Sequence, residues 1–222
     1  MDRVLEAEVM ESPEEAISYD AMDHSEPNEA FVQRLVDLGA GSGGGHMLDI
    51  GTGPGHIPLM VCEKIEGATV FGLDMSREML NIARQHLEAS AYSHCIEYHL
   101  GDAKEIAFPD AAFDTVFSNT ILHHIPDPGP FIHEAWRVLK PGGVLLIRDL
   151  FRPDDQLTLD HLVTEYAGDC DDYQRKMFAD SLHAALTPGE LRELADALGL
   201  NDVEIVIDTD RHMSLQTMSA NK

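Results

Sequence analysis

The chain has 222 residues, 44% of them hydrophobic, and sets 40 acidic side chains against 15 basic ones for a formal net charge of −25; that length fits one domain with a real core. No apolar run approaches the ~20 residues of a membrane span, no Lys/Arg cluster offers a nucleic-acid binder's basic face, and the start Met1-Asp2-Arg3-Val4-Leu5-Glu6 lacks a signal-peptide core. Cys62, Cys95 and Cys170 are scattered without a C-x-x-C, which suggests neither a disulfide frame nor a zinc knuckle and fits a reducing cytoplasm.

In chain order, residues 1–12 read as a frayed acidic tail. Ser12-Pro13-Glu14-Glu15 is a capping box with proline at the first helical position, so a helix opens there. Tyr19-Asp20-Ala21-Met22-Asp23-His24 separates it from a second helix over 27–38, with Phe31, Leu35 and Leu38 on one face. The glycine-rich stretch 39–45 is a flexible connector. Met47-Leu48-Asp49-Ile50 then forms a strand that runs into Gly51-Thr52-Gly53-Pro54-Gly55-His56, glycines at alternate positions. Glycine admits positive φ and close ligand approach. The turn feeds a helix over 57–65, whose unpaired N–H groups favour a polar or anionic ligand group.

A second strand over 69–74 ends at Asp74, and Ser76 caps a helix running to about 89. A third strand, 96–100, ends at Gly101-Asp102-Ala103. A fourth, 113–118, runs into Asn119-Thr120-Ile121-Leu122-His123-His124-Ile125. A helix over 130–139 and the turn Pro141-Gly142-Gly143 lead to a strand over 144–148. Residues 151–186 interrupt the alternation with polar, helical sequence. Thr187 opens a helix to 198, ended by Gly199, and 203–207 with 211–217 close the sheet as a final hairpin. Strands alternating with helices predict a doubly wound, mostly parallel sheet.

The glycine turn departs from the dinucleotide fingerprint, which needs glycine at the first, third and sixth places. Those places hold Gly51, Gly53 and His56, and Asp49 lies two residues ahead. A carboxylate there offers nothing to a pyrophosphate and attracts a cation. The pattern acid-x-Gly-x-Gly-x-Gly resembles the first motif of the class I S-adenosylmethionine (SAM)-dependent methyltransferases, whose cofactor carries a sulfonium and an ammonium. Asp74, at 74 − 51 = 23 residues beyond Gly51, suits ribose hydroxyls in either cofactor class. The segment 118–125, Asp127-Pro128, and Glu134-Ala135-Trp136-Arg137-Val138-Leu139-Lys140-Pro141-Gly142-Gly143 resemble the small-molecule methyltransferases that include the quinone-ring enzymes. The resemblance covers about 46–150. It weakens over 1–45, where only Tyr19-Asp20 is similar to the family's N-terminal lid, and over 151–222.

The resemblance implies an α/β fold: a doubly wound, mostly parallel seven-stranded Rossmann-like sheet with helices on both faces and an antiparallel final strand. It divides the chain into a helical lid and connector (1–45), a SAM-binding core (46–150), a helical insertion serving as substrate cap or dimer contact (151–186), and a closing helix and strands (187–222). It places Asp49, Gly51, Thr52 and Gly53 at the methionine part of SAM, Asp74 at the ribose, and Met75 and Met79 beside the adenine. Asp102 and Ala103 take the adenine edge, Asn119 lies under the sulfonium, and Tyr19 caps the methionine carboxylate or the methyl group.

Methyl transfer is an in-line displacement that needs alignment above all. A general base is required only for a hydroxyl or protonated-amine acceptor. His123 and Tyr19 are the candidate catalytic residues, with His124, His24, His161, His183 and Tyr166 as further candidate bases. His24, His123, Arg148, His161 and Tyr166 are candidate acceptor contacts. Arg148-Asp149 reads as an ion pair closing the pocket or as a substrate arm. His123 and His124 are expected to diverge as helix neighbours, so no metal site is assigned. The expected partner is a small molecule, neutral or cationic given the acidity, with no nucleic acid, no membrane and a possible homodimer. Two other readings stay open: a SAM-binding protein that does not methylate, and a nicotinamide-dependent oxidoreductase.

Overall fold

Seven strands form one sheet in the order β3-β2-β1-β4-β5-β7-β6. They are β1 (Gly45–Ile50), β2 (Ala68–Asp74), β3 (Ile96–Leu100), β4 (Phe113–Asn119), β5 (Leu139–Leu150), β6 (Val203–Ile207) and β7 (His212–Thr217). The computed structural model describes residues 1–6, 12–42 and 44–217. Residues 7–11 of the expected tail, Gly43 of the connector and 218–222 lie outside the described residues. Neighbouring strands pair parallel except at β7, which runs antiparallel to both β5 and β6. The strand order turns back at β1, flanked by β2 on one side and β4 on the other. In open α/β sheets the crevice for ligands lies at the carboxyl ends of strands around such a reversal.

Eight helices accompany the sheet among the described residues: α1 (Pro13–Asp20), α2 (Ser25–Asp37), α3 (His56–Lys64), α4 (Arg77–Glu88), α5 (Gly129–Val138), α6 (Gln156–Ala167), α7 (Asp172–Ala184) and α8 (Pro188–Ala197). Their starts follow local sequence. Ser12 and Glu15 form the reciprocal capping box of α1, and Thr187 with Glu190 does the same for α8. The Ser76 hydroxyl accepts the Met79 N–H at the head of α4. Side chains alternate between the two faces with period two. Met47, Phe117 and Leu146 pack beside Phe31 and Leu35 of α2 and Val61 of α3. Leu48, Ile50, Val116, Leu145 and Ile147 face the opposite layer, with Phe131 and Ile132 of α5 and Leu191 of α8. The α6–α7 hairpin lies over the end of β5, where Leu159, Leu162 and Leu182 enclose Leu150.

Two expectations change. Pro141-Gly142-Gly143 is not a turn ahead of a short strand: β5 begins at Leu139, directly after α5, and runs through it. The β4–β5 register jumps from Phe113↔Leu139 to Thr115↔Val144, so the extra residues are absorbed as a bulge, with Gly142 at φ 77°. The other change is at the N-terminus, where residues 1–6 are docked rather than frayed. The Met1 amino group donates to the Asp154 carbonyl (3.1 Å) and the Val4 N–H to the His183 carbonyl (3.1 Å). The Arg3 guanidinium donates to the carbonyls of Ala184 (2.6 Å), Ile125 (2.9 Å), Pro126 (3.0 Å) and His123 (3.4 Å). One side chain thus ties α7 to the segment after β4. Hydrogen bonds from a charged donor contribute about 1.5–3 kcal/mol, and an ammonium lacks the guanidinium fork. R3A should therefore lower the unfolding free energy by about 1–3 kcal/mol in urea titrations, with R3K recovering only part of it.

Candidate active site at the carboxyl edge of the sheet

The turn after β1 is held by the end of β2. The N–H groups of Gly51 (2.8 Å) and Thr52 (3.0 Å) both donate to the Leu73 carbonyl, and the Gly53 N–H donates to the Asp74 carboxylate at 2.7 Å. Gly51 stands at φ 76°, and a Cβ there would come within 2.4 Å of Ile121 Cγ2; a Cβ on Gly53 would meet nothing within 4 Å. The space beside Gly53 belongs to a cavity along the strand ends, lined by Tyr19, Gly51, Gly53, Asp74, Met75, Met79, Asp102, Ala103 and Asn119 among others. The second Asp74 oxygen accepts the Ser76 N–H at 2.8 Å. Burial pushes the Asp74 carboxyl upward, although the N–H groups of Ser76, Gly53 and Met75 oppose it. A carboxylate offers about four acceptor sites, so Asp74 can hold the turn and still accept hydroxyls. At the far end, Asp102 accepts the Lys104 N–H at 2.8 Å.

Asp49 is not on the wall of this cavity. It lies beneath the turn, 1% exposed, and accepts the Thr52 hydroxyl at 2.7 Å. Burial above all pushes its carboxyl up to about 7, with Thr52 opposing and Asp74 adding to the shift. Thr52 lines a small neighbouring cavity together with Tyr19, His24, Asn28 and His56.

Tyr19, Asn119 and Thr120 line that small cavity, the strand-end cavity and a third of about 640 Å³ under the α6–α7 hairpin. The Tyr19 ring packs on His24 with centroids 4.8 Å apart, and burial raises its hydroxyl above the usual range. Thr120 has φ 59°, an uncommon conformation for a β-branched residue, and such strain gathers at functional sites. Its N–H donates to the Arg148 carbonyl and its hydroxyl to the Asn119 carbonyl, both at 2.8 Å.

Arg148 and Asp149 do not pair with each other. Successive strand residues face opposite sides, so Asp149 turns to His123 while Arg148 turns to the large cavity. His123 Nδ1 lies 2.5 Å from one Asp149 oxygen, and the His123 N–H donates to the other at 2.9 Å. Burial alone would lower His123, but the charge and hydrogen bond of Asp149, helped by Glu6, hold it above 6.5. Burial would raise Asp149, yet His123 and the hydrogen bonds hold it below the usual range. His123 and His124 sit in a short 3-10 turn (Leu122–His124) rather than an α-helix, so their rings do not diverge: the centroids are 4.1 Å apart. Both face Glu6, from His123 Nε2 at 3.4 Å and from His124 Nδ1 at 3.1 Å. Glu6–His123–His124, and separately Asp20–His56–His86, bring ligand-type atoms within 4.8 Å of one another.

The remaining candidates are dispersed. His24, His123, Arg148 and Tyr166 line the large cavity, and His124 lines the strand-end cavity. His161 is exposed on α6 and lines none of the three cavities, and neither does His183. Tyr166 is at the rim, its hydroxyl donating to Asp210 at 2.7 Å and its ring carrying the Arg211 guanidinium at 3.3 Å. Thr120, Arg211 and His212 were given no role from sequence, and Asp149, paired there with Arg148, has His123 as its partner instead. Only strict alternation along β5 could have pointed to Asp149, by setting it on the face opposite Arg148.

A family model described as a methyltransferase domain matches residues 48–147. The chain is 33% identical over 172 residues to the chloroplastic 2-phytyl-1,4-beta-naphthoquinone methyltransferase of Arabidopsis thaliana, covering 71% of this chain and 65% of that one. It is 36% identical over 121 residues to the demethylmenaquinone methyltransferase of Thermus thermophilus, covering 54% of each. The chain spans about half the length of the curated relatives it matches. Among solved structures, phosphoethanolamine N-methyltransferase 2 of Haemonchus contortus in complex with S-adenosyl-L-methionine is similar at TM-score 0.64 and 25% identity, over 83% of this chain and 39% of that one. A SAM-dependent methyltransferase from Aquifex aeolicus shares the fold at TM-score 0.68 and 18% identity, over 95% and 100%. The matched residues run from β1 into β5 and include the turn, Asp74, Asp102 and Asn119 that line the strand-end cavity. Residues 48–147 thus form a methyltransferase domain, set in the fold of SAM-dependent methyltransferases.

Proposed function

We propose that the chain transfers a methyl group from SAM to a small-molecule acceptor. The observation that carries this reading is the meeting of the strand-end cavity and the 640 Å³ cavity at Tyr19, Asn119 and Thr120. One side suits the donor, the other has the size of a metabolite site, and the junction suits the reacting atoms. When bound, SAM supplies a methyl group already activated by its sulfonium, which leaves alignment and proton handling to the protein.

Asp74 accepts the ribose hydroxyls while still holding Gly53 and Ser76. The open space at Gly53 admits the methionine part. Asp49 lies beneath, bonded to Thr52, and a cation seated above the turn favours the ionised form of its raised carboxyl. Met75 and Met79 flank the adenine, Asp102 and Ala103 meet its edge, and Asn119 and Tyr19 bound the transfer point. The residues lining the donor cavity support SAM over a nicotinamide dinucleotide, and the adjoining acceptor cavity supports transfer over binding alone. The α6–α7 segment serves as an acceptor cap rather than a dimer contact, because Tyr166, Gln174 and Phe178 line the large cavity. A cytoplasmic place suits the three free thiols.

His123 is the proton acceptor for a hydroxyl or ammonium acceptor, oriented by Asp149. Its raised pKa means the basic form grows in as pH rises through a value above 6.5. Rates should climb across that range, and D149N should move the climb to lower pH. The same pair affects stability with two signs. The His123 share is fully present below its unfolded pKa near 6.5 and is lost as pH rises through the raised folded value. The Asp149 share is present above its unfolded pKa near 3.8 and is lost as pH falls through the lowered folded value. Thermal unfolding of the parent against D149N should therefore show the largest gap between about pH 4 and 6.5.

The donor assignment is tested by titration calorimetry with SAM, S-adenosylhomocysteine and NAD. SAM and S-adenosylhomocysteine should bind and NAD should not. D74N and G51A should each weaken SAM at least tenfold, about 1.4 kcal/mol. Failure of SAM to bind, or unchanged affinity in both variants, would sink the reading.

A further inference from the structure

The large cavity carries a feature that donor binding leaves unused. Five buried side-chain polar atoms lack a hydrogen-bond partner among the described residues, and three of them belong to residues of this cavity: His24 Nε2, Asn119 Oδ1 and Arg148 Nε. Buried polar groups are nearly always satisfied. Three orphans around one space therefore point to a ligand that completes them.

Arg148 is the most demanding of the three. It is 8% exposed, its Nη1 donates to the Pro27 carbonyl in the first turn of α2 at 3.2 Å, and its buried Nε has no partner among the described residues. Among the described residues, the carboxylates near Arg148 accept hydrogen bonds from other groups or stand away. Asp149 is bound to His123, Asp208 accepts the Ser214 hydroxyl at 2.5 Å, and Asp23 accepts the N–H and hydroxyl of Ser25. Glu26 lines the lid side, exposed at the head of α2. Burial depresses the Arg148 pKa, and the nearby Arg211 charge works the same way against the attraction of Asp208. His212, buried beside both arginines, is pushed down to about 3, first by burial and then by Arg148 and Arg211. A chain of net charge −25 thus sets Arg148 and Arg211 on the sheet side of this cavity, with Asp23 and Glu26 on its lid side. Burying a guanidinium without a counter-ion is unfavourable, and its planar fork matches carboxylate and phosphate oxygens.

We infer that the acceptor bears an anionic group, a carboxylate or a phosphate, that docks on the guanidinium of Arg148 and completes its unpartnered Nε. Asn119 is the register partner of Arg148 across β4 and β5, and its Oδ1 takes an O–H or N–H of the same molecule. This narrows the methyl-transfer reading and rests on it. It also departs from the whole-chain acidity, which favours a neutral or cationic partner: the field that a bound molecule feels is set by charges within about a Debye length, ~10 Å.

The test is calorimetric titration of inorganic phosphate, and separately of phenylacetate, at constant ionic strength. Parent, R148Q and R148K are compared, each with and without saturating S-adenosylhomocysteine. The expected result is saturable binding of at least one anion to the parent, weakened at least tenfold in R148Q and partly restored in R148K. The R148Q affinity for S-adenosylhomocysteine should stay at the parent value, which a merely structural brace of the whole site would not allow. Binding of phosphate alone assigns a phosphate group, and binding of phenylacetate alone a carboxylate. Absence of saturable anion binding to the parent, or equal binding to R148Q, overturns the inference. So does a joint fall in R148Q melting temperature and S-adenosylhomocysteine affinity without an anion effect. If S-adenosylhomocysteine does not bind yet anion binding still depends on Arg148, the methyl-transfer reading falls and the anion site stands.

Discussion

The end of β2 holds the end of β1. The Leu73 carbonyl takes the N–H groups of Gly51 and Thr52, and the Asp74 carboxylate takes that of Gly53. Three successive N–H groups are thereby satisfied by a neighbouring strand, which lets the chain leave the sheet at positive φ without orphaned donors. The helix that follows starts where the strand order reverses, so the turn opens toward a crevice rather than a neighbouring strand. A side chain on Gly51 would strike Ile121, which belongs to the segment joining β4 to the His123 turn. The strand-end cavity and the segment leading to His123 therefore meet at one tightly packed seam.

Charge is distributed against the composition. The chain is strongly acidic, yet the residues beneath the α6–α7 hairpin include Arg148, Arg211 and a His212 held neutral by burial first and then by these two arginines. On the other side of β5, Asp149 and His123 satisfy each other in the interior, a pairing that buried charges require. Adjacent residues of one strand thus have separate surroundings: Asp149 holds the His123 imidazole, and Arg148 is buried at the lining of the large cavity. The pleat makes this separation, since successive side chains point to opposite faces.

The N-terminal residues add a further layer. Arg3 gathers carbonyls from the segment after β4 and from α7, while Glu6 stands against both His123 and His124. The docked hexapeptide joins the α6–α7 hairpin to the sheet edge. Its sequence gives no local sign of this, because acceptors for Arg3 come from residues more than a hundred positions away.

Sequence alone determined what local rules govern. The capping boxes at Ser12 and Thr187, the Ser76 cap, the glycine turn and the two-residue period of the strands all act over a few residues, and each was legible in order. Asp74 and Asp102 were legible because strand ends in this topology converge on one edge. Tertiary structure alone decided what depends on distant partners: that Asp49 lies under the turn instead of on the cavity wall, that Asp149 belongs to His123, that Arg148 has no ion-pair partner among the described residues, and that His161 lines none of the three cavities. Proton position and local field arise from groups brought together across the fold, and no spacing along the chain encodes them.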